Sequence, residues 1–179
     1  MDLQKMNLPI SGGLTSGEDQ LLYDYAQGTL AVDLGTFLGR AAVILSLKTK
    51  KIIAIDAFFN SGSLFTKYPN YRFDSVKNSF EKYGNIELVK GMVEDAELTK
   101  ILGMKKIDVL FVDVEPRFDI LSQIGDAWFP YIKKNKFIIL NNFQKFDGVT
   151  AFVEELTLSS DYEEVDCVDS CVVIKKLKA

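Results

Sequence analysis

The chain has 179 residues, 47% of them hydrophobic, with 25 acidic against 21 basic side chains and a formal charge of −4. A chain of this length buries about two-thirds of its extended surface in one core and is short for two domains, and its Lys and Arg are dispersed, which leaves no footprint for a nucleic-acid backbone. Histidine is absent, removing the commonest general base and metal ligand together, and with no apolar run near 18 residues and no cleavable leader pattern the sequence predicts a soluble, cytoplasmic protein without a membrane segment.

Residues 1–17, with Pro9 and the Gly12-Gly13 pair, lack a sustained period and read as an irregular arm ahead of one domain over 18–179. Ser16 followed by Asp19 suggests a capping box, and Leu21, Leu22 and Tyr25 share a helical face that ends near Gly28. Thr29 to Leu34 is apolar apart from Asp33; Gly35 breaks the run, and Arg40 to Leu47 is helical in register. Strand Lys51–Ala57 contains Asp56. A helix carrying Phe73, Val76, Phe80 and Tyr83 is closed by Gly84, and strand Ile86–Lys90 runs into Gly91. Helix Ala96–Leu102 follows the acidic start Glu94-Asp95, then comes strand Ile107–Val112 ending at Asp113. A long helix face runs from Phe118 to Ile132, with its last turn disturbed by Pro130. Strand Lys136–Leu140 precedes Asn141 and Asn142, a helix carries Val149 to Leu156, and two strands joined at Asp169-Ser170 close the chain. Cys167 and Cys171 lie in that final pair and read as small apolar side chains.

Alternating strands and helices, with strands that are continuous apolar runs, predict an α/β fold: a doubly wound, mostly parallel Rossmann-like sheet with helices on both faces. Ligands of such sheets bind outside the carboxyl ends of the strands. That edge collects the residues that interrupt the apolar runs.

In Asp33-Leu34-Gly35-Thr36-Phe37-Leu38-Gly39-Arg40 the outer glycines of a dinucleotide fingerprint stand at Gly35 and Gly39, but the middle one is missing. A pyrophosphate, and so an NAD-type cofactor, is therefore disfavoured, whereas a ligand without phosphates tolerates Thr36. Asp33 is placed to accept from a ligand ammonium or, more plainly, to cap backbone N–H groups. Arg40, a cation in a first helical turn, suggests an anionic partner or a solvated surface group. Asp56 lies 23 positions beyond Asp33 and can accept both hydroxyls of a ribose. Gly91, Met92 and Glu94 can enclose an adenine, with Glu94 accepting from its amine, unless the acids only start a helix. S-adenosylmethionine is the leading candidate.

These stretches, together with Ile53-Ala54-Ile55-Asp56-Ala57-Phe58, Asp108-Val109-Leu110-Phe111-Val112-Asp113, Trp128-Phe129-Pro130-Tyr131-Ile132 and Gly148-Val149, make the sequence resemble class I S-adenosylmethionine-dependent methyltransferases. The likeness is strongest to small-molecule and glycan O-methyltransferases. It spans roughly Glu18 to Leu177 and implies a seven-stranded sheet with an antiparallel last strand and cofactor contacts at Asp33, Gly35, Asp56, Glu94 and Asp113. The departures fall on the chemistry. Where glycan-type members read Asp-Gly-x-His this chain has Asp113-Val114-Glu115-Pro116, and a Pro-Gly-Gly turn is replaced by Lys134-Asn135-Lys136. Metal-dependent relatives carry carboxylates where this chain has Asn141 and Asn142, so a divalent ion is not expected.

The leading reading is methyl transfer to an oxygen of a small molecule or glycan, with Asp113 orienting the acceptor and Glu115 taking its proton. The alternative is a methyltransferase-fold binding or regulatory protein that has lost turnover. The aromatic segment Phe58 to Tyr71, with Phe58, Phe59, Phe65, Tyr68 and Tyr71, walls an acceptor pocket, closes over the cofactor together with the N-terminal arm or forms a homodimer contact; sequence leaves these three open.

Overall fold

A computed structural model describes residues 10–59 and 66–178. Helix α1 (Ser16–Tyr25) is followed by β1 (Leu30–Leu34), α2 (Arg40–Ser46), β2 (Lys51–Asp56), α3 (Phe73–Phe80), β3 (Ile86–Lys90), α4 (Ala96–Ile101) and β4 (Ile107–Val112). Then come α5 (Phe118–Trp128), a 3₁₀ turn Phe129–Tyr131, β5 (Ile132–Leu140), α6 (Asp147–Leu158), β6 (Tyr162–Val168) and β7 (Cys171–Lys176). The seven strands form one sheet in the order β3-β2-β1-β4-β5-β7-β6. Strands β1 to β5 pair in parallel, and β7 runs antiparallel to both β5 and β6.

Strand parity sorts the core into two layers. Leu30, Val32 and Leu34 of β1 join Leu98 of α4, Trp128 of α5 and Val153 of α6 on one face. Ala31 turns to the other, with Leu22 of α1, Ile44 of α2 and Phe80 of α3. Buried on both faces, β1, β2 and β4 have no solvent-facing polar side, which is why they read as apolar runs interrupted only by single aspartates, Asp33, Asp56 and Asp108. The strand order reverses between β1 and β4, whose neighbours leave in opposite directions. The connections after them therefore part and leave a crevice at the strands' carboxyl ends.

Several boundaries differ from the sequence reading. The cap of α1 is Thr15 and not Ser16: its hydroxyl accepts from Glu18 N–H while the Glu18 carboxylate accepts from Thr15 N–H. Glu18, and not Asp19, thus completes the box. Tyr83 lies beyond α3. Ile132 starts β5 and does not belong to the preceding helix, which ends at Trp128 before the Pro130 turn. Cys171 is buried as expected, but Cys167 is exposed, and both are free thiols. The arm's residues 1–9 and the loop residues 60–65, Phe65 among them, lie outside the described residues. No helix among the described residues is long and apolar enough to cross a membrane.

Candidate functional site

A cavity of ≈ 440 Å³ opens over the carboxyl ends of β1, β2 and β4, a volume suited to a small ligand. Its polar lining is Asp56, Glu94, Asp113 and Glu115; Phe37, Phe59, Met92, Val93, Val114 and Ile120 supply apolar wall, and among the described residues no Lys or Arg lines it. Gly35 and Gly13 line it too, so the arm reaches the cavity.

Gly35 lets the chain turn out of β1. Its φ is +87°, and a Cβ there would stand 1.9 Å from the Asp113 carbonyl oxygen, so only glycine permits this crossing of the β1 and β4 tips. The turn is fixed by Gly35 N–H and Thr36 N–H, both donating to the Ile55 carbonyl at 2.9 and 3.1 Å.

Asp56 is the anchor of the rim. Its Oδ2 accepts from Phe37 N–H at 2.8 Å, and its Oδ1 accepts from Phe58 N–H and the Tyr71 hydroxyl, each at 2.7 Å. Phe37 and Phe58 both have positive φ, +52° and +48°, a conformation costly for residues with a Cβ, and the Asp56 carboxylate holds both in place. Tyr71 packs on Phe58 and Phe37, with ring centroids 5.4 and 5.3 Å away. Burial, then the bond to Asp56, push its phenol well above the usual range. The aromatic segment is thus largely turned inward among the described residues: Phe58 and Tyr71 are buried, Tyr68 is half-buried, and Phe59 is exposed at the cavity wall.

Asp33 shares strand parity with Ala31 and lies on the α2 side. It has no exposed surface; Oδ2 accepts from the Thr36 hydroxyl at 3.0 Å, and Oδ1 has no hydrogen-bond partner of ordinary geometry. Burial, reinforced by Asp113 and Asp56, pushes its pKa up to about 7. Asp113 is also raised, by desolvation first and by Glu18, against donation from Asn141 and Asn142 and the charge of Lys145. Asn142 Nδ2 donates to Asp113 Oδ1 at 3.1 Å, and the Ser170 hydroxyl lies 2.7 Å from Glu18 Oε1 and 3.0 Å from Asn141 Oδ1. The two asparagines therefore join a network that steadies Asp113 and reaches back to α1. Sequence reading missed this network, since its members lie up to 152 positions apart. Among the described residues no group of three or more His, Cys, Asp or Glu side chains could hold a metal ion.

Of the residues singled out from sequence, Gly35, Asp56, Met92, Glu94, Asp113 and Glu115 are brought together at the cavity. Asp33, Thr36, Gly39, Arg40 and Gly91 do not line it. Arg40 finds its anion inside the chain: the guanidinium pairs with Asp19 through Nε and Nη2 and donates from Nη1 to the Ile10 carbonyl at 2.7 Å. Gly39 serves packing, because a Cβ there would meet the Phe80 ring at 2.4 Å. Gly91 lies against Leu98 and donates its N–H to the Asp56 carbonyl. Asp95, beside Glu94, caps α4 by accepting from Glu97 N–H; Glu94 faces the cavity. Glu115 is exposed, 3.8 Å from Arg117, whose stronger partner is Asp119. Behind the Met92-Val93 wall, Trp128 Nε1 donates to the Val93 carbonyl at 2.6 Å.

No family model matches the sequence, and no curated protein does. Solved structures do match. A methyltransferase from Geobacter sulfurreducens is 21% identical, with a TM-score of 0.63, over 98% of this chain and 85% of that one. The O-methyltransferase TomG from Streptomyces achromogenes, involved in tomaymycin synthesis and solved in complex with SAM, is 16% identical, with a TM-score of 0.67 over 99% and 86%. An rRNA methylase from Streptococcus thermophilus is 14% identical, with a TM-score of 0.61 over 90% and 95%. At these identities the likeness is one of fold: the chain shares the Rossmann-like architecture of these methyltransferase structures.

Proposed function

We propose that the protein is an S-adenosylmethionine-dependent methyltransferase acting on an oxygen of a small molecule or glycan. The observation that carries this reading is the cavity at the β1–β4 switch, where Asp56, Gly35 and Glu94 converge on a space that, among the described residues, has no cationic side chain to hold a phosphate.

The residues present fit an adenosyl sulfonium ligand. Asp56 would hold the ribose, Met92 and Glu94 the adenine, and the Gly35 turn the amino-acid end. Buried Asp33, with an unsatisfied oxygen, adds negative potential behind the wall that favours a cation in front of it. When bound, the cofactor supplies an electrophilic methyl group. The protein's share is alignment and exclusion of water. Asp113, half-buried and steadied by Asn142, orients the acceptor hydroxyl; Glu115, at the open side, takes its proton and passes it to solvent. Four carboxylates, with no lining cation among the described residues, disfavour polyanionic acceptors, which supports a small molecule over the rRNA acted on by the Streptococcus thermophilus protein.

Titration calorimetry with S-adenosylmethionine and S-adenosylhomocysteine tests the reading: both bind in the micromolar range, and Asp56→Ala weakens both by at least about tenfold, a lost charged hydrogen bond. Absence of heat at millimolar ligand overturns it. A screen of hydroxylated acceptors with labelled cofactor then tests turnover, which Asp113→Asn and Glu115→Gln lower on any acceptor found. Pro116, which can neither take nor give a proton, favours a second reading, a cofactor-binding regulatory protein; binding with no transfer to any acceptor would support it.

A further inference from the structure

Asp56 holds its donors in an arrangement that a ribose would have to change. A carboxylate offers about four acceptor positions, two on each oxygen. Oδ1 has both filled, by Phe58 N–H and by the Tyr71 hydroxyl, and Oδ2 has one filled, by Phe37 N–H. A ribose diol gripped by a carboxylate needs one position on each oxygen. Oδ2 has a vacancy and Oδ1 has none.

The two backbone donors cannot leave cheaply. Phe58 N–H is two residues from the carboxylate it serves, and both phenylalanines sit at positive φ, so breaking either bond means refolding a strained turn. Tyr71 comes from a different segment, 15 positions away, and contributes a side-chain hydroxyl. It is the one donor of the three that can withdraw by side-chain adjustment. Burial and the neighbouring carboxylate hold the phenol in its protonated, donating form, so the bond is present across the neutral pH range.

We infer that the Tyr71 hydroxyl occupies, in the free protein, the position on Asp56 that one ribose hydroxyl of the adenosyl ligand takes on binding. Tyr71 is thereby a specificity-determining residue: it sets how strongly the seat prefers a full ribose over a deoxyribose. This rests on the adenosyl reading of the cavity. A ligand with both hydroxyls must displace the phenol, so part of its hydrogen-bond gain is offset. A ligand lacking the hydroxyl aimed at Oδ1 binds with Tyr71 still in place.

The test compares S-adenosylhomocysteine with its 2′-deoxy and 3′-deoxy analogues by calorimetry on the wild-type chain and Tyr71→Phe. The variant should bind S-adenosylhomocysteine about three- to tenfold more tightly, within the range for one charged hydrogen bond. It should leave the affinity of one deoxy analogue unchanged, so that discrimination between ribose and that deoxyribose widens. A second readout needs no variant: as the phenol leaves the carboxylate, S-adenosylhomocysteine should produce a tyrosine near-ultraviolet difference spectrum in the wild type. Weaker binding by Tyr71→Phe, an equal shift for all three ligands, or a flat difference spectrum at saturation would overturn the inference. In those outcomes wild-type binding of S-adenosylhomocysteine still stands, which keeps the adenosyl reading separate; no binding by the wild type removes both.

Discussion

At Asp33 a carboxyl group with no exposed surface and one unpartnered oxygen lies in the field of Asp56 and Asp113, and burial first, then these charges, bring its pKa to about 7. The folded state thus binds this proton more tightly than the unfolded chain, whose Asp titrates near about 3.9. The sign follows: the side chain's contribution to stability is fully present below about pH 4 and is lost as pH rises through about 7. The loss is on the order of 4 kcal/mol by the conversion of about 1.4 kcal/mol per pH unit. Asp33→Asn removes the titration, so its stability relative to the wild type should rise between pH 4 and pH 8. Urea unfolding at both ends of that interval measures it; parallel profiles would show that Asp33 ionises without penalty. Residues of this kind were legible in sequence because an acid interrupting an apolar strand is conspicuous. What Asp33 touches was not legible, since its depth is set by which face α2 covers.

Among the elements, β5 shows where patterning misleads. Its first half, Ile132-Lys133-Lys134-Asn135-Lys136, is polar after Ile132, which reads as the end of the preceding helix face, with the strand starting only at Lys136; yet β5 begins at Ile132, paired with β4 through a register shift between Ile107 and Val109. The reason lies across the strand: Lys133 Nζ donates to the buried Asp108 carboxylate at 2.8 Å, and Lys136 Nζ lies 3.7 Å from it. Asp108 also accepts from Thr29 N–H, the Thr29 hydroxyl and Leu30 N–H, tying the start of β1 to β4 and β5. Asp108→Ala should cost about 1–3 kcal/mol, because it leaves the Leu30 N–H buried without an acceptor and unpairs the partly exposed Lys133. Chemical denaturation reads this, and a cost below about 1 kcal/mol would show that water replaces the carboxylate. Gly28, at φ +85° with a would-be Cβ 2.4 Å from Asp108 Cγ, admits no larger residue beside this joint. Strands β1, β2 and β4 were placed within a residue or so, since burial leaves them one pattern; β3, none of whose residues is buried, was bounded instead by Gly84 and Gly91. The α1 cap moved by one residue because Thr15 and Ser16 are equivalent to a sequence rule, and only the Glu18 partner separates them. Arg40 was read toward a ligand because Asp19, its partner 21 positions earlier, belongs to another helix.

For the molecule as a whole, the sheet order places two independent tethers around one crevice. One is the Asp56 collar on the β2 side; the other is the Glu18–Ser170–Asn141 chain, which links the first turn of α1 to the β6–β7 turn and β5 tip. Between them the floor belongs to β1 and β4, both fully buried. The outermost strands are blunted by charge: Glu87 and Lys90 on β3, and Glu163, Glu164 and Asp166 on β6, a pattern that discourages pairing of sheets edge to edge.

The sequence contains a single tryptophan, and its indole is bonded to the carbonyl of Val93, a residue of the cavity wall. The protein consequently carries its own optical gauge of occupancy. An arriving guest that presses on the Met92-Val93 wall must alter the polarity and hydrogen bonding felt by a buried fluorophore. Emission should change along a saturable curve whose midpoint matches the calorimetric Kd, while an unchanging spectrum at saturation would mean that this wall is rigid.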